Sequence, residues 1–130
     1  MENYSATIKE TTHELSARER IMMKDTTNAK KIDTAIDESE DGKIVINPAD
    51  YVVLSIHNEK SKDRKDYENY LIIDTNGDKF YTGSPSFWSS FMEIWKEMKS
   101  EGSDEDFAIE VYKVPSKNYS GKDFITCSII

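Results

Sequence analysis

Residues 67–98 read "YENYLIIDTNGDKFYTGSPSFWSSFMEIWKEM". Three patterns follow one another here. "YENYLIID" is rich in β-branched and aromatic residues and predicts a strand. "DTNGDK" predicts a hairpin, because Asn76-Gly77 tolerates the positive φ of a type I′ turn, and "KFYTG" is the return strand. Ser84 is a good N-cap and Pro85 suits the first helical position. Phe87, Trp88, Phe91, Met92, Trp95 and Met98 then recur at helical spacing. They define one apolar helix face, and Gly102 is the expected stop.

The signals on either side are strands. "DYVVLSIHNE", from Asp50, alternates Val52, Leu54 and Ile56 on one face with Tyr51, Val53, Ser55 and His57 on the other. "FAIEVYKV" and "DFITCSII" are the fourth and fifth strands, separated by a polar loop. The order is three strands, a helix and two strands. This is the order of the five-stranded Greek-key barrel called the OB-fold, with the helix plugging its open end. The competing reading is an α+β sheet with one helix on a face.

The expected organisation is an N-terminal arm over residues 1–27 and an OB-fold-like domain over 28–130. The arm is polar, and "THELSARERIMMK" has a thin apolar stripe of Leu15, Ile21 and Met22. It predicts at most a short helix capped by Thr12, and its removal is expected to leave the barrel folded. "TTNAKKIDTAI" reads as extended. "DESEDG" reads as an acidic turn, and "KIVINP" as a short strand stopped by Pro48.

Composition narrows the function. Of 130 residues, 17 are basic and 25 acidic, a formal charge of -8, so a uniformly acidic surface would repel nucleic acid. The distribution is uneven, however. The loop after the first OB strand holds Lys60, Lys62, Arg64 and Lys65, although Glu59, Asp63 and Asp66 dilute it. From Tyr112 to Lys122 the chain carries Lys113, Lys117 and Lys122 and no acid. OB-folds bind single strands between two such loops.

Bases also need aromatic platforms. Tyr67, Tyr70, Tyr81, Tyr112 and Tyr119 are the candidates, and periodicity does not settle which face outward. Tyr119, between Asn118 and Ser120, is the least suited to a core. Trp88 and Trp95, at helical spacing with Phe91 and Met98, read as core.

Catalytic signals are missing. His13, His57 and Cys127 are the only histidines and thiol, too few for a zinc site of that kind. There is no glycine-rich phosphate loop or nucleophile motif. "DTNGD" imitates a calcium loop but places Gly77 at the fourth position, not the sixth. We expect no enzyme activity, cofactor or metal. His57 is expected to pack on its strand, and Cys127 to be a small core residue of a reduced protein. The lack of a signal-peptide core or a spanning apolar run predicts a cytoplasmic protein without membrane association.

The stretches "YVVLSIHNEK", "YENYLIIDTNGDKFYTGSPSFWSSFMEIW" and "VPSKNYSGKDFITCSI" resemble the small single-stranded DNA-binding proteins of tailed bacteriophages. The resemblance covers about two-thirds of the chain. It implies an OB-type fold, action in the host cytoplasm during phage DNA replication or recombination, and binding without sequence preference. Many such proteins end in an acidic tip that recruits replication partners. This sequence ends "CSII", so "DESED" or "SDED" would have to serve. A homo-oligomer is compatible with the reading. The rival reading is an acidic, phage-encoded module that inhibits a host nuclease or defence protein.

Overall fold

The computed structural model describes residues 4–11, 14, 16–25, 29–59, 66–99, 107–115 and 123–130. The elements are β1 (Tyr4–Thr11), α1 (Ala17–Lys24), β2 (Lys30–Lys31), α2 (Ile32–Glu38), β3 (Lys43–Ile46) and β4 (Pro48–Asn58). Then come β5 (Asp66–Asp74), β6 (Lys79–Thr82), α3 (Pro85–Met98), β7 (Ile109–Pro115) and β8 (Asp123–Ile129). The fold is mainly β. The strands form two sheets, ordered β1-β4-β5-β6-β2 and β3-β7-β8.

This differs from one five-stranded barrel. The expected first three strands are β4, β5 and β6, and the expected last two are β7 and β8, but they pair in different sheets. The reason lies upstream. β3 takes an edge of β7, with Ile44 opposite Val111, and β1 takes an edge of β4, with Ile8 opposite Leu54. No closed barrel forms among the described residues.

The chain also divides differently from an arm and a domain. Met1–Lys30 with Ala49–Gly83 form one compact unit, and Lys31–Pro48 with Ser84–Ile130 form another. In the first unit the N-terminal segment belongs to the sheet, because Ala6 and Ile8 pack against the buried cluster of Val52, Leu54, Ile56 and Leu71. α1 begins later than expected. Ser16, not Thr12, is its cap, in a full capping box with Glu19. Met23 anchors the helix to the same cluster, and the Lys79 ammonium holds its end by donating to the carbonyls of Met22 and Asp25.

β4 is buried on both faces at its centre, since Tyr51 and Val53 are covered as well as Val52 and Leu54. Pro48 opens this strand rather than stopping β3. At an end of a strand its missing N–H costs little.

The β5–β6 hairpin has the register Ile73 opposite Lys79, so its loop is longer than a two-residue type I′ turn. The Asp74 N–H donates to the Asp78 carbonyl, and the Gly77 N–H donates to the Asp74 carbonyl. Gly77 uses a glycine's freedom, at φ +89°. A three-residue loop ending in a left-handed glycine has this bonding. The Asp74 carboxylate accepts from the Asn76 N–H at 2.8 Å, which makes it a turn residue.

In the second unit, residues 32–38 are helical, not extended. Ile32 and Ile36, one turn apart, are buried, and that pairing decides the helix. The acidic turn after it closes with Gly42 at φ +71°. α3 starts as expected, with the Ser84 Oγ accepting from the Phe87 N–H. It ends at Met98 with Lys99 as its cap; Gly102 lies outside the described residues. α3 runs along β8, where the Ser86 hydroxyl donates to the Ile125 carbonyl. A helix hydrogen-bonded to the last strand blunts an open sheet edge.

Candidate nucleic-acid interface

Alternation in the β3-β7-β8 sheet sorts its side chains into two faces. Ile46, Ile109, Val111, Ile125 and Cys127 share one face, and all are buried. Lys43, Val45, Tyr112, Val114, Phe124 and Thr126 share the other, and none is buried. The second face is otherwise open: α3 reaches it at Thr126, whose hydroxyl lies 2.9 Å from the Ser90 hydroxyl.

Two aromatic rings lie on it. Tyr112 stands opposite Thr126, and Val114 stands opposite Phe124. Tyr112 and Phe124 are therefore diagonal neighbours, a spacing of about 7–8 Å between Cα atoms in an antiparallel pair. Phe124 is 41 % exposed. The Tyr112 hydroxyl hydrogen-bonds the Ser128 hydroxyl across β8 at 2.7 Å, which ties the ring over the sheet. Pro115 pairs with Asp123, so the residues joining β7 to β8 are 116–122, next to the Val114–Phe124 pair. By sequence that connection holds Lys117, Tyr119 and Lys122; their own placement lies outside the described residues, as does that of Lys60, Lys62, Arg64 and Lys65.

The remaining expected residues divide. Tyr70 is only 7 % exposed, and its hydroxyl meets Glu68 at 3.3 Å. Tyr67 and Tyr81 pack against the Val52–Leu71 cluster of the first unit. Tyr67 and Tyr81 do core work on the face of Leu71, where Met23 of α1 also packs, and Tyr70 is buried on the other face with Ile72. Lys113 lies on the opposite face from Tyr112 and pairs with Asp37 of α2 at 2.8 Å. The carboxylate holds its ammonium above the ordinary lysine pKa. Lys113 therefore braces α2 against the sheet and does not share the open face.

Lys43 is on the open face beside Tyr112, but it too is paired, with Glu110 at 2.8 Å. A groove of about 550 Å³ lies alongside, bordered by both lysines, Tyr112, Asp37, Glu40 and Asp41. It is mixed in charge rather than basic. Phe124 is a member of the face that sequence reasoning missed. Its signal is legible, since in "DFITCSI" it falls out of phase with the buried Ile125 and Cys127.

Trp88 and Trp95 are not free platforms. Phe91, fully buried, stacks with Trp88 at 5.2 Å and lies 5.8 Å from Trp95, which meets the edge of Phe107 at 6.0 Å. The Lys99 ammonium covers Trp95 at 5.1 Å.

His57 does more than pack on its strand. Its Nδ1 lies 2.7 Å from Asp66 and its Nε2 2.6 Å from Glu59. Hydrogen bonds to Asp66 first, then Glu59, raise its pKa above the ordinary histidine value. Cys127 is buried, and desolvation pushes its thiol up to about 12. Such a thiol is a packing group, not a nucleophile. Among the described residues no group of three acidic, histidine or cysteine side chains is placed to hold a metal ion, and no helix is long and apolar enough to cross a membrane.

No protein-family model, no curated protein and no solved structure matches this chain.

Proposed function

We propose that the protein binds single-stranded DNA, without sequence preference and without catalysis, on the open face of the β3-β7-β8 sheet. The observation that carries this reading is the pair of diagonal aromatic residues, Tyr112 and Phe124, on a sheet face with no buried member. Exposed aromatics on a sheet are surfaces on which unpaired bases stack, each worth about 1–3 kcal/mol. Lys117 and Lys122, in the adjoining connection, supply phosphate contacts, and Tyr119 a third ring. The reading needs an open sheet and an adjoining basic segment, and it does not depend on a closed OB barrel. Action in phage replication or recombination is part of the same proposal and rests on the resemblance noted above.

A second reading, docking of a protein partner, is favoured by one observation. Both lysines beside Tyr112, Lys43 and Lys113, are already neutralised by carboxylates. One titration separates the two. Fluorescent oligo-dT, oligo-U and duplex DNA are titrated with the protein at several salt concentrations. We expect oligo-dT to bind better than duplex. With about two or three phosphates neutralised, log K should fall with log salt at a slope of about -1.4 to -2. Preference for duplex, or no binding at low salt, would leave the protein-docking reading standing. Equal binding of oligo-U would extend the proposal to RNA.

A further inference from the structure

We propose that copies of this chain associate head to tail, the α1 helix of one seating in a groove between α3 and the end of β8 of the next. Two exposed surfaces on the same chain carry the argument, and it stands independently of what the open sheet face binds.

The first surface is α1. None of its residues is buried. Ile21 is 70 % exposed and Met22 53 %. Arg18 lies three and four residues before them, so the three side chains form one stripe, with Lys24 in the last turn. The stripe is apolar and basic in a protein of charge -8. The helix is also preformed: the Ser16–Glu19 capping box holds its start, Lys79 holds its end, and Met23 anchors its inner side. Docking it costs little ordering entropy.

The second surface is a groove of about 380 Å³ lined by Ile94, Met98, Ile129, Glu93 and Glu97. Its floor is apolar, and its rim carries the two glutamates, one helical turn apart on α3. Ile129 is 47 % exposed although it closes a sheet strand. An apolar floor with an acidic rim fits an apolar stripe flanked by basic residues. Both halves of that match occur on this chain, so a second copy is the occupant it specifies.

The two surfaces differ, so the contact is heterologous. Each contact leaves one helix and one groove unused, so association either closes on itself or continues. Two or three side chains on each side make a contact well below a standard interface, so it should be weak, in the range of about 10 μM to 1 mM.

Sedimentation velocity of the full chain over that range tests the proposal. The weight-average mass should climb above the monomer with concentration, and added salt should suppress the climb. Ile21→Glu and Ile129→Glu, both at exposed positions, should each stay monomeric alone. Mixed in equal amounts they should form a one-to-one dimer that grows no further, because one intact helix meets one intact groove. A charge pair gives a second test that leaves the apolar contacts in place. Arg18→Glu and Glu93→Lys should each weaken association alone, and mixing them should restore association. Circular dichroism confirms that each variant is folded, and the charge pair decides the matter if Ile129→Glu is not. A wild type that stays monomeric throughout overturns the proposal. So does association that survives both Ile21→Glu and Arg18→Glu.

Discussion

Phe124→Ala removes a ring that is 41 % exposed on the open sheet face. Complete burial of a phenylalanine is worth about 3–5 kcal/mol on truncation to alanine. With about three-fifths of the residue covered, the loss here should be about 2–3 kcal/mol, which leaves a folded protein at room temperature. If Phe124 stacks on one base, binding should weaken by a further 1–3 kcal/mol, or about 5- to 150-fold in Kd. The control is next door. Ile125 is buried on the other face, and Ile125→Val should cost about 0.5–1.5 kcal/mol of stability while leaving binding unchanged. Fluorescence anisotropy with labelled oligo-dT gives the affinities, and urea unfolding of the same samples gives the stabilities. The two variants should separate, one moving both quantities and the other only stability. If Phe124→Ala binds oligo-dT within twofold of wild type, the open face is not the stacking surface and the proposed function loses its carrying observation.

The pKa of His57 is raised by the Asp66 and Glu59 carboxylates, so its clamp stabilises the fold fully below the unfolded value of about 6.5 and fades as pH rises through the folded value. The melting-temperature gap between wild type and His57→Gln should therefore be widest near pH 6 and shrink toward pH 9, and Asp66→Asn should lower the histidine pKa seen by NMR titration. Ile8 is partly buried against the first-unit core, so Ile8→Ala should cost about 2 kcal/mol in urea unfolding; a neutral result would return residues 1–27 to the status of a dispensable arm. Gly77 sits at φ +89° with nothing within 4 Å of where an added Cβ would lie, so Gly77→Ala should lose about 1–2 kcal/mol in urea unfolding from backbone strain alone. The Cys127 thiol, buried and pushed up to about 12, should react with a thiol reagent at pH 8 far more slowly than in urea.

The local elements between Tyr51 and Ile129 were legible in the sequence because each carries its own signal. Val52, Leu54 and Ile56 alternate on one face of a strand, Ser84-Pro85 caps and starts α3, and Phe87 and Phe91 sit one turn apart in its core. Those signals depend on a few neighbouring residues, so no distant partner is needed to read them. Two local readings failed where the signal was thin. Ile32 and Ile36 alone mark α2, and Ala6 and Ile8 alone mark the inward side of β1.

What only the tertiary structure decided was pairing. Strand order along the chain is shared by many β folds, and nothing local in "KIVI" or "YSATIKET" states that one will sit beside β7 and the other beside β4. Hydrogen-bonding edges are alike from strand to strand, so partners are selected by the packing of whole faces. The candidate site followed from that choice. Tyr67, Tyr70 and Tyr81 went to packing because their sheet was covered, and Lys113 went to Asp37 because α2 lies on its side. Tyr112 and Phe124 stayed outside the core because they fall on the sheet face opposite Val111, Ile125 and Cys127.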